Sequence, residues 1–119
     1  MAICKVIIDY KLSNWNDIIN ANRRNKYIGA KEKKIEMGYI SYFLSKTPKI
    51  TKYPIKIECI WHVKNMGSDL DNKSIKAVLD AMQEMGILEN DNIAHINEII
   101  YKAVKDSKDY LELEVIEAD

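Results

Sequence analysis

The chain has 119 residues, 47% hydrophobic and 30% charged, enough apolar material for one compact domain and too little length for two. No run approaches the ~20 consecutive apolar residues that cross a bilayer, which excludes a helical membrane span. Its net charge of zero hides an asymmetry: residues 1–60 hold 12 Lys+Arg against 5 Asp+Glu, a balance of +7, and residues 61–119 hold 6 against 13, a balance of −7. A basic half and an acidic half suit a protein that attracts a polyanion with one surface and a divalent cation with another; scattered solvated charge is the bland alternative.

Ala2 to Tyr10, with Ile3, Val6, Ile7 and Ile8, reads as an opening strand. Ser13 or Asn14 can cap the next segment, in which Trp15, Ile18 and Ile19 recur at helical spacing. Gly29 marks a break or bend near Arg23 to Tyr27, and a second helix is expected from about Ala30 to Leu44, with Ile35, Tyr39, Tyr42 and Phe43 on its apolar side. Pro48 and Pro54 bracket a connection. From about Lys56 to Lys64, the alternation of Ile57, Cys59, Trp61 and Val63 with Glu58, Ile60, His62 and Lys64 predicts a strand with one firmly apolar face.

After Gly67-Ser68-Asp69 comes the strongest helical pattern, about Asn72 to Met85, with Ile75, Val78, Leu79, Met82 and Met85 as its buried stripe and Gly86 as its terminator. Ile93 to Val104 is β-rich, Asp106 to Asp109 supplies a turn, and Leu111, Leu113 and Val115 alternate with polar neighbours, so the tail reads as a β-hairpin. The expected order is β-α-α-β-α-β-β: a single α+β domain over residues 1–119, with helices packed on a mixed sheet of about four strands.

The acids around the third helix are the chemically informative group. In an extended segment residues i and i+2 point to one side, so Asp69 and Asp71 can converge while Leu70 points away. Asp91 lies beyond Gly86, and can reach that pair if the following strand runs back beside the second one. Three carboxylates in one pocket repel unless a cation binds between them, and hard oxygen donors without His or thiolate suit Mg²⁺ or Mn²⁺. Such an ion can activate water and neutralise charge on a scissile phosphodiester, with Lys76 as a fixed positive charge nearby. The competing structural roles are a helix cap for Asp71 or Asn72 and a turn residue for Asp91. A calcium loop over Asp69 to Asp80 is excluded, because Lys73 stands where a ligand is needed and Ser74 where glycine permits the turn.

Two stretches carry a resemblance. One is Asn20-Ala21-Asn22-Arg23-Arg24-Asn25-Lys26-Tyr27-Ile28-Gly29-Ala30-Lys31 with Lys33-Lys34. The other is Asp69-Leu70-Asp71-Asn72, Lys76, Leu79-Asp80-Ala81, Gly86-Ile87-Leu88 and Asn90-Asp91-Asn92. Together they resemble the RusA family of Holliday-junction resolvases, particularly its phage and prophage members. The resemblance implies a Mg²⁺-dependent endodeoxyribonuclease acting on four-way DNA junctions as a homodimer, in recombination or repair. It implies Asp69, Asp71 and Asp91 as metal-binding catalytic acids and Lys76 as the catalytic lysine. The chain departs from the pattern at Asn90, where many members carry a further acid, and in a gap between Asn72 and Lys76 one residue longer than in the best-known member. Asp80 belongs to the pattern and reads as a supporting group rather than a ligand.

Arg23, Arg24, Lys26, Lys31, Lys33 and Lys34 form a basic cluster opposed by Glu32 alone, the composition that neutralises phosphates independently of base sequence. Its bland alternative is a solvated helix face. His62 and His95 are expected to be structural, Trp15 and Trp61 to be core residues, and Cys4 and Cys59 to be reduced thiols rather than a disulfide. Met1 to Lys5 lacks a basic-then-apolar signal, so a cytoplasmic location is expected. No Gly-x-x-x-x-Gly-Lys loop is present, which leaves nucleotide hydrolysis unsupported. Two rival readings are a nuclease preferring other branched substrates and a catalytically idle branched-DNA-binding protein.

Overall fold

The computed structural model describes residues 2–118, without the side chain of Arg24. Among them the order is β1 (Ala2–Ile8), α1 (Trp15–Arg24), α2 (Lys26–Leu44), β2 (Ile55–Val63), a 3₁₀ turn (Leu70–Asn72), α3 (Lys76–Glu84), β3 (Ile96–Lys105) and β4 (Tyr110–Glu117). This is the expected α+β domain with a four-stranded mixed sheet. The strands lie in the order β1-β4-β2-β3. β4 runs antiparallel to both β1 and β2, whereas β3 runs parallel to β2, with Ile55 opposite Ile96 and Val63 opposite Lys105.

That order corrects the expected terminal hairpin. The turn after β3 carries the chain over the end of β2, where the Asp106 N–H donates to Val63 O at 2.9 Å, and β4 then pairs on the far side of β2. The cause lies in β2 itself. Its residues Ile55, Ile57, Cys59, Trp61 and Val63 are all buried, so the strand belongs in the middle of the sheet, between β4 and β3.

The core fills the space between one face of the sheet and the α2–α3 layer. Ile8, Ile57, Leu111, Leu113 and Val115 meet Ile40, Leu44, Val78 and Met82 there, each shielded from water. Each such aliphatic side chain contributes about 1.5–3 kcal/mol on burial.

Local chemistry explains most element ends. Asn14 caps α1: its side chain accepts the Asp17 N–H, while the Asp17 carboxylate accepts the Asn14 N–H, satisfying two otherwise orphaned donors. The break between α1 and α2 falls at Asn25, inside the expected stretch Arg23 to Tyr27, and Gly29 is not its cause. Asn25 is extended and its side chain accepts the Tyr27 N–H, starting α2 four residues earlier than expected. Gly29 sits inside α2, where a β-carbon would run into the Asn22 side chain; the glycine serves close packing of α1 on α2. Gly86 ends the third helix in the left-handed region (φ 74°). Its N–H donates to Gln83 O and that of Ile87 to Met82 O, a Schellman ending.

The apolar face expected for α2 is rotated. Gly29, Glu36, Ile40 and Leu44 point inward, while Ile35, Tyr39 and Tyr42 lie on the outside and Phe43 is half-buried. A buried glutamate in the inner stripe disguises its phase. The Glu36 carboxylate accepts the Ser13 N–H at 2.9 Å, fastening the loop before α1. Trp15 is likewise exposed rather than core, and Met85 lies outside the buried stripe of α3.

Candidate functional site

Asp69 and Asp71 lie on the turn that carries the chain from β2 to α3. The Asn72 N–H donates to Asp69 O (3.2 Å) and the Lys73 N–H to Leu70 O (3.1 Å), so Asp71 stands in a 3₁₀ turn rather than in the extended run expected. Residues 69 to 71 are all exposed. The turn is held from two sides: Asn72 Oδ1 accepts the Asn16 N–H of α1 at 3.1 Å, and Lys73 Nζ lies 5.7 Å from the centre of the Trp61 ring. Just beyond, the Ile75 N–H donates to Tyr101 Oη on β3 at 3.3 Å.

The structural duties that could have explained these acids fall to other residues. Asp69 makes no side-chain cap, and α3 is capped at Ile75 without any side-chain bond, so Asp71 caps nothing. In the turn before β3 the side chain of Asn90, not Asp91, accepts the Asn92 N–H at 2.9 Å. Among the described residues, the carboxylates of Asp69, Asp71 and Asp91 have no hydrogen-bond or ion-pair partner.

Asp91 does not join the pair. The expectation required the strand after it to run back beside β2, but β3 is parallel to β2. The segment before β3 is fixed at the start of β2 instead: the Glu89 N–H donates to Tyr53 Oη (3.0 Å), and the Ile55 N–H to His95 O (2.8 Å). Between the acids stands α3, whose nine residues span about 13 Å. No group of three or more His, Cys, Asp or Glu at metal-holding spacing occurs among the described residues.

Lys76 opens α3 and faces a cleft of about 380 Å³ between α1, α2 and α3. Its Nζ lies 3.8 Å from Asp80 Oδ1, and Lys33 Nζ from α2 lies 3.7 Å from Asp80 Oδ2. Asp80 therefore stands between the two lysines. Trp15, Ile18 and Ile19 give the cleft an apolar wall, and Asp17, Glu32 and Glu36 add carboxylates. Of the basic cluster, Arg23 edges a shallow depression with Asp17, Asn20 and Glu32, Lys33 is engaged by Asp80, and Lys26, Lys31 and Lys34 are exposed. The side chain of Arg24 lies outside the described residues.

One polar cluster has no counterpart in the sequence reading. His62, on the sheet face opposite the helices, is held between Asp106 Oδ2 (2.9 Å from Nδ1) and Glu112 Oε1 (2.6 Å from Nε2), and its ring stacks on Tyr110 at 3.9 Å. Lys5 pairs with the other oxygen of Glu112 at 3.1 Å. Both carboxyls are held below their ordinary range: Glu112 by hydrogen bonds from Lys5 and then His62, Asp106 by the Ser107 N–H and then His62. The available signal was that residue 62 alternates out of the apolar face of β2, as Glu112 does on β4. His95 contacts Asn92 and Tyr53. Cys4 and Cys59 are free thiols, and burial pushes Cys59 up to about 12.

No protein-family profile and no curated protein matches this chain. No described helix is long and apolar enough to cross a membrane.

Proposed function

We propose that this chain is a Mg²⁺-dependent endonuclease of the RusA type that cuts branched DNA, four-way junctions first among its substrates. The observation that carries the proposal is the idleness of Asp69 and Asp71: two adjacent exposed acids, on a turn fixed by Asn72 and Lys73, with no structural partner of their own. Two uncompensated charges on one short turn gain nothing for the fold, and a cation bound there would offset them.

The donor set fits the group. Mg²⁺ is held through one or two carboxylates, completing its octahedron with water and substrate phosphate oxygens, so Asp69 and Asp71 suffice as protein ligands to an ion that arrives with DNA; Mn²⁺ suits the same donors. When bound, such an ion lowers the pKa of a coordinated water and neutralises charge on the scissile phosphate. In this proposal Lys76 holds a positive charge toward the leaving oxygen, positioned by Asp80. Arg23, Arg24, Lys26, Lys31 and Lys34 bind phosphates flanking the cut. Asp91 belongs to the set by resemblance alone. Two copies in a homodimer present two such turns to opposing strands, and a cytoplasmic setting follows from a DNA substrate.

The separation of Asp91 from the pair favours a second reading, a branched-DNA-binding protein that does not cut. Strand-labelled synthetic four-way junctions separate the two. Paired symmetric nicks in Mg²⁺, abolished by chelator, support the endonuclease. Binding without cleavage in Mg²⁺ and Mn²⁺ supports the idle binder. Nicking of linear duplex at an equal rate contradicts branch selectivity.

A further inference from the structure

β3 stands at one edge of the sheet, and the backbone groups on its outer side have no partner. From Lys56 to Val63 the pairing of β2 with β3 runs without a shift, and at its end the Asp106 N–H donates to Val63 O. Backbone groups point to alternate sides along a strand, so Glu98, Ile100, Lys102 and Val104 direct theirs at β2. Ile99, Tyr101, Ala103 and Lys105 direct theirs away from the sheet, and among the described residues none makes a backbone bond. The side chains leave the edge open as well: Ile99 is 46% exposed and Val104 41%. β3 is ten residues long, contains no proline, and has its one irregularity at its start. Of the devices that blunt natural edges only charge remains.

The arrangement of that charge decides what fits. Glu98, Ile100 and Lys102 project from the sheet face opposite the helices, where Lys102 Nζ lies 2.8 Å from Glu58 Oε1 on β2. Glu98 is exposed and has no ion-pair partner among the described residues. A second β3 laid antiparallel along this edge, with Ile100 opposite its own copy, sets Glu98 opposite Lys102 on both sides of the axis. It also sets Ile99 opposite Tyr101, and these two exchange N–H···O bonds in both directions. Centring the pair on residue 98 or 102 instead puts like charges opposite each other, which is destabilising. Centring it on 99 or 101 leaves each charge opposite an apolar side chain. The other edge offers no such match: β1 has seven residues, a register shift between Ala2 and Cys4, and Lys5 as its single charge.

We infer that two copies of the chain join β3 to β3, antiparallel about Ile100, into one eight-stranded sheet. An unrelated segment would have to bring an acid and a base at this spacing, which a second copy brings by symmetry. The two-fold axis then stands perpendicular to the joint sheet, so both Tyr101 side chains lie on one face of it. Tyr101 Oη accepts the Ile75 N–H just beyond the Asp69–Asp71 turn, and both turns therefore serve the same side of the dimer. That last consequence rests on the nuclease reading; the pairing itself stands on β3 alone.

The test is sedimentation equilibrium of the full chain without DNA. The parent should be a dimer. Glu98→Lys and Lys102→Glu should each weaken association about tenfold or more, because symmetry repeats the clash of like charges twice. An equimolar mixture of the two variants should associate like the parent, since every 98–102 pair across the axis is again of opposite sign. Ile99→Pro removes an outward N–H that the single chain does not use, and should give monomers with the parent's circular dichroism spectrum. A parent that is monomeric at high micromolar concentration overturns the pairing. So does a dimer indifferent to both charge changes, or a mixture that fails to associate. Cleavage of a four-way junction is read separately: a monomer that cuts it sinks the pairing alone, and a charge-dependent dimer that neither binds nor cuts it sinks the nuclease reading alone.

Discussion

Asn72 Oδ1 accepts the backbone N–H of Asn16 at 3.1 Å across 56 residues of sequence. This bond ties the turn bearing Asp69 and Asp71 to the first turn of α1, the helix that leads into the basic cluster. One amide thereby ties the turn bearing the acids to the helix that precedes Lys26, Lys31 and Lys34.

Replacing it is therefore expected to misplace chemistry more than to unfold the domain. Asn72→Ala removes one exposed hydrogen bond, a loss of about 1 kcal/mol or less, and should lower the thermal midpoint by only a few degrees. Its cleavage rate at saturating junction should fall well below that of the parent while junction affinity barely moves. Circular dichroism melting and single-turnover cleavage check the two halves; an unchanged rate contradicts a positioning role.

The His62 cluster predicts a dependence on acid. Ionised Asp106 and Glu112 can only accept, so His62 engages both when both ring nitrogens carry hydrogen. Both carboxyls are depressed in the folded state. Their contribution is thus fully present above the ordinary carboxyl range near pH 4 and is lost as pH falls through the depressed values. His62→Gln removes a shared cause of both depressions, the second in order for each after Lys5 or the Ser107 N–H. Its acid-unfolding midpoint, followed by far-ultraviolet circular dichroism below pH 5, should move to higher pH than the parent's. Coincident curves contradict the linkage.

At Gly29 two effects oppose. Alanine inside a helix is favoured over glycine by about 1 kcal/mol, but its methyl group displaces the Asn22 side chain. Gly29→Ala alone should change stability little. The Gly29→Ala/Asn22→Ala pair should exceed the sum of the single changes, with urea midpoints giving the coupling; simple additivity contradicts the packing account.

The contrast between what could and could not be read from the sequence follows interaction range. Alternation in residues 55–63 and the glycine at 86 report burial and helix ending because both are local, and both appear where expected. The terminal hairpin was misread because local turn chemistry at Asp106 to Asp109 carries no information about a third strand inserting between its arms. The phase of α2 was misread because the helix has two apolar stripes and a buried Glu36 in the true one. The acids divide the same way. Residues 69 and 71 are joined by one short turn, whose 3₁₀ form the sequence does not announce, whereas bringing in Asp91 depends on strand direction, which nothing near residue 91 encodes. His62 finds partners 44 and 50 residues away, beyond any local pattern.

The central claim, that the Asp69–Asp71 turn receives a divalent cation, is tested most directly by paramagnetic broadening of backbone amide resonances on titration with Mn²⁺ in the presence of a non-cleavable phosphorothioate junction. Broadening centred on residues 68–73, lost in Asp71→Asn while the junction stays bound, is the predicted result. Broadening centred on the α1–α2–α3 cleft around Asp17 and Asp80, or none at saturating junction, contradicts it.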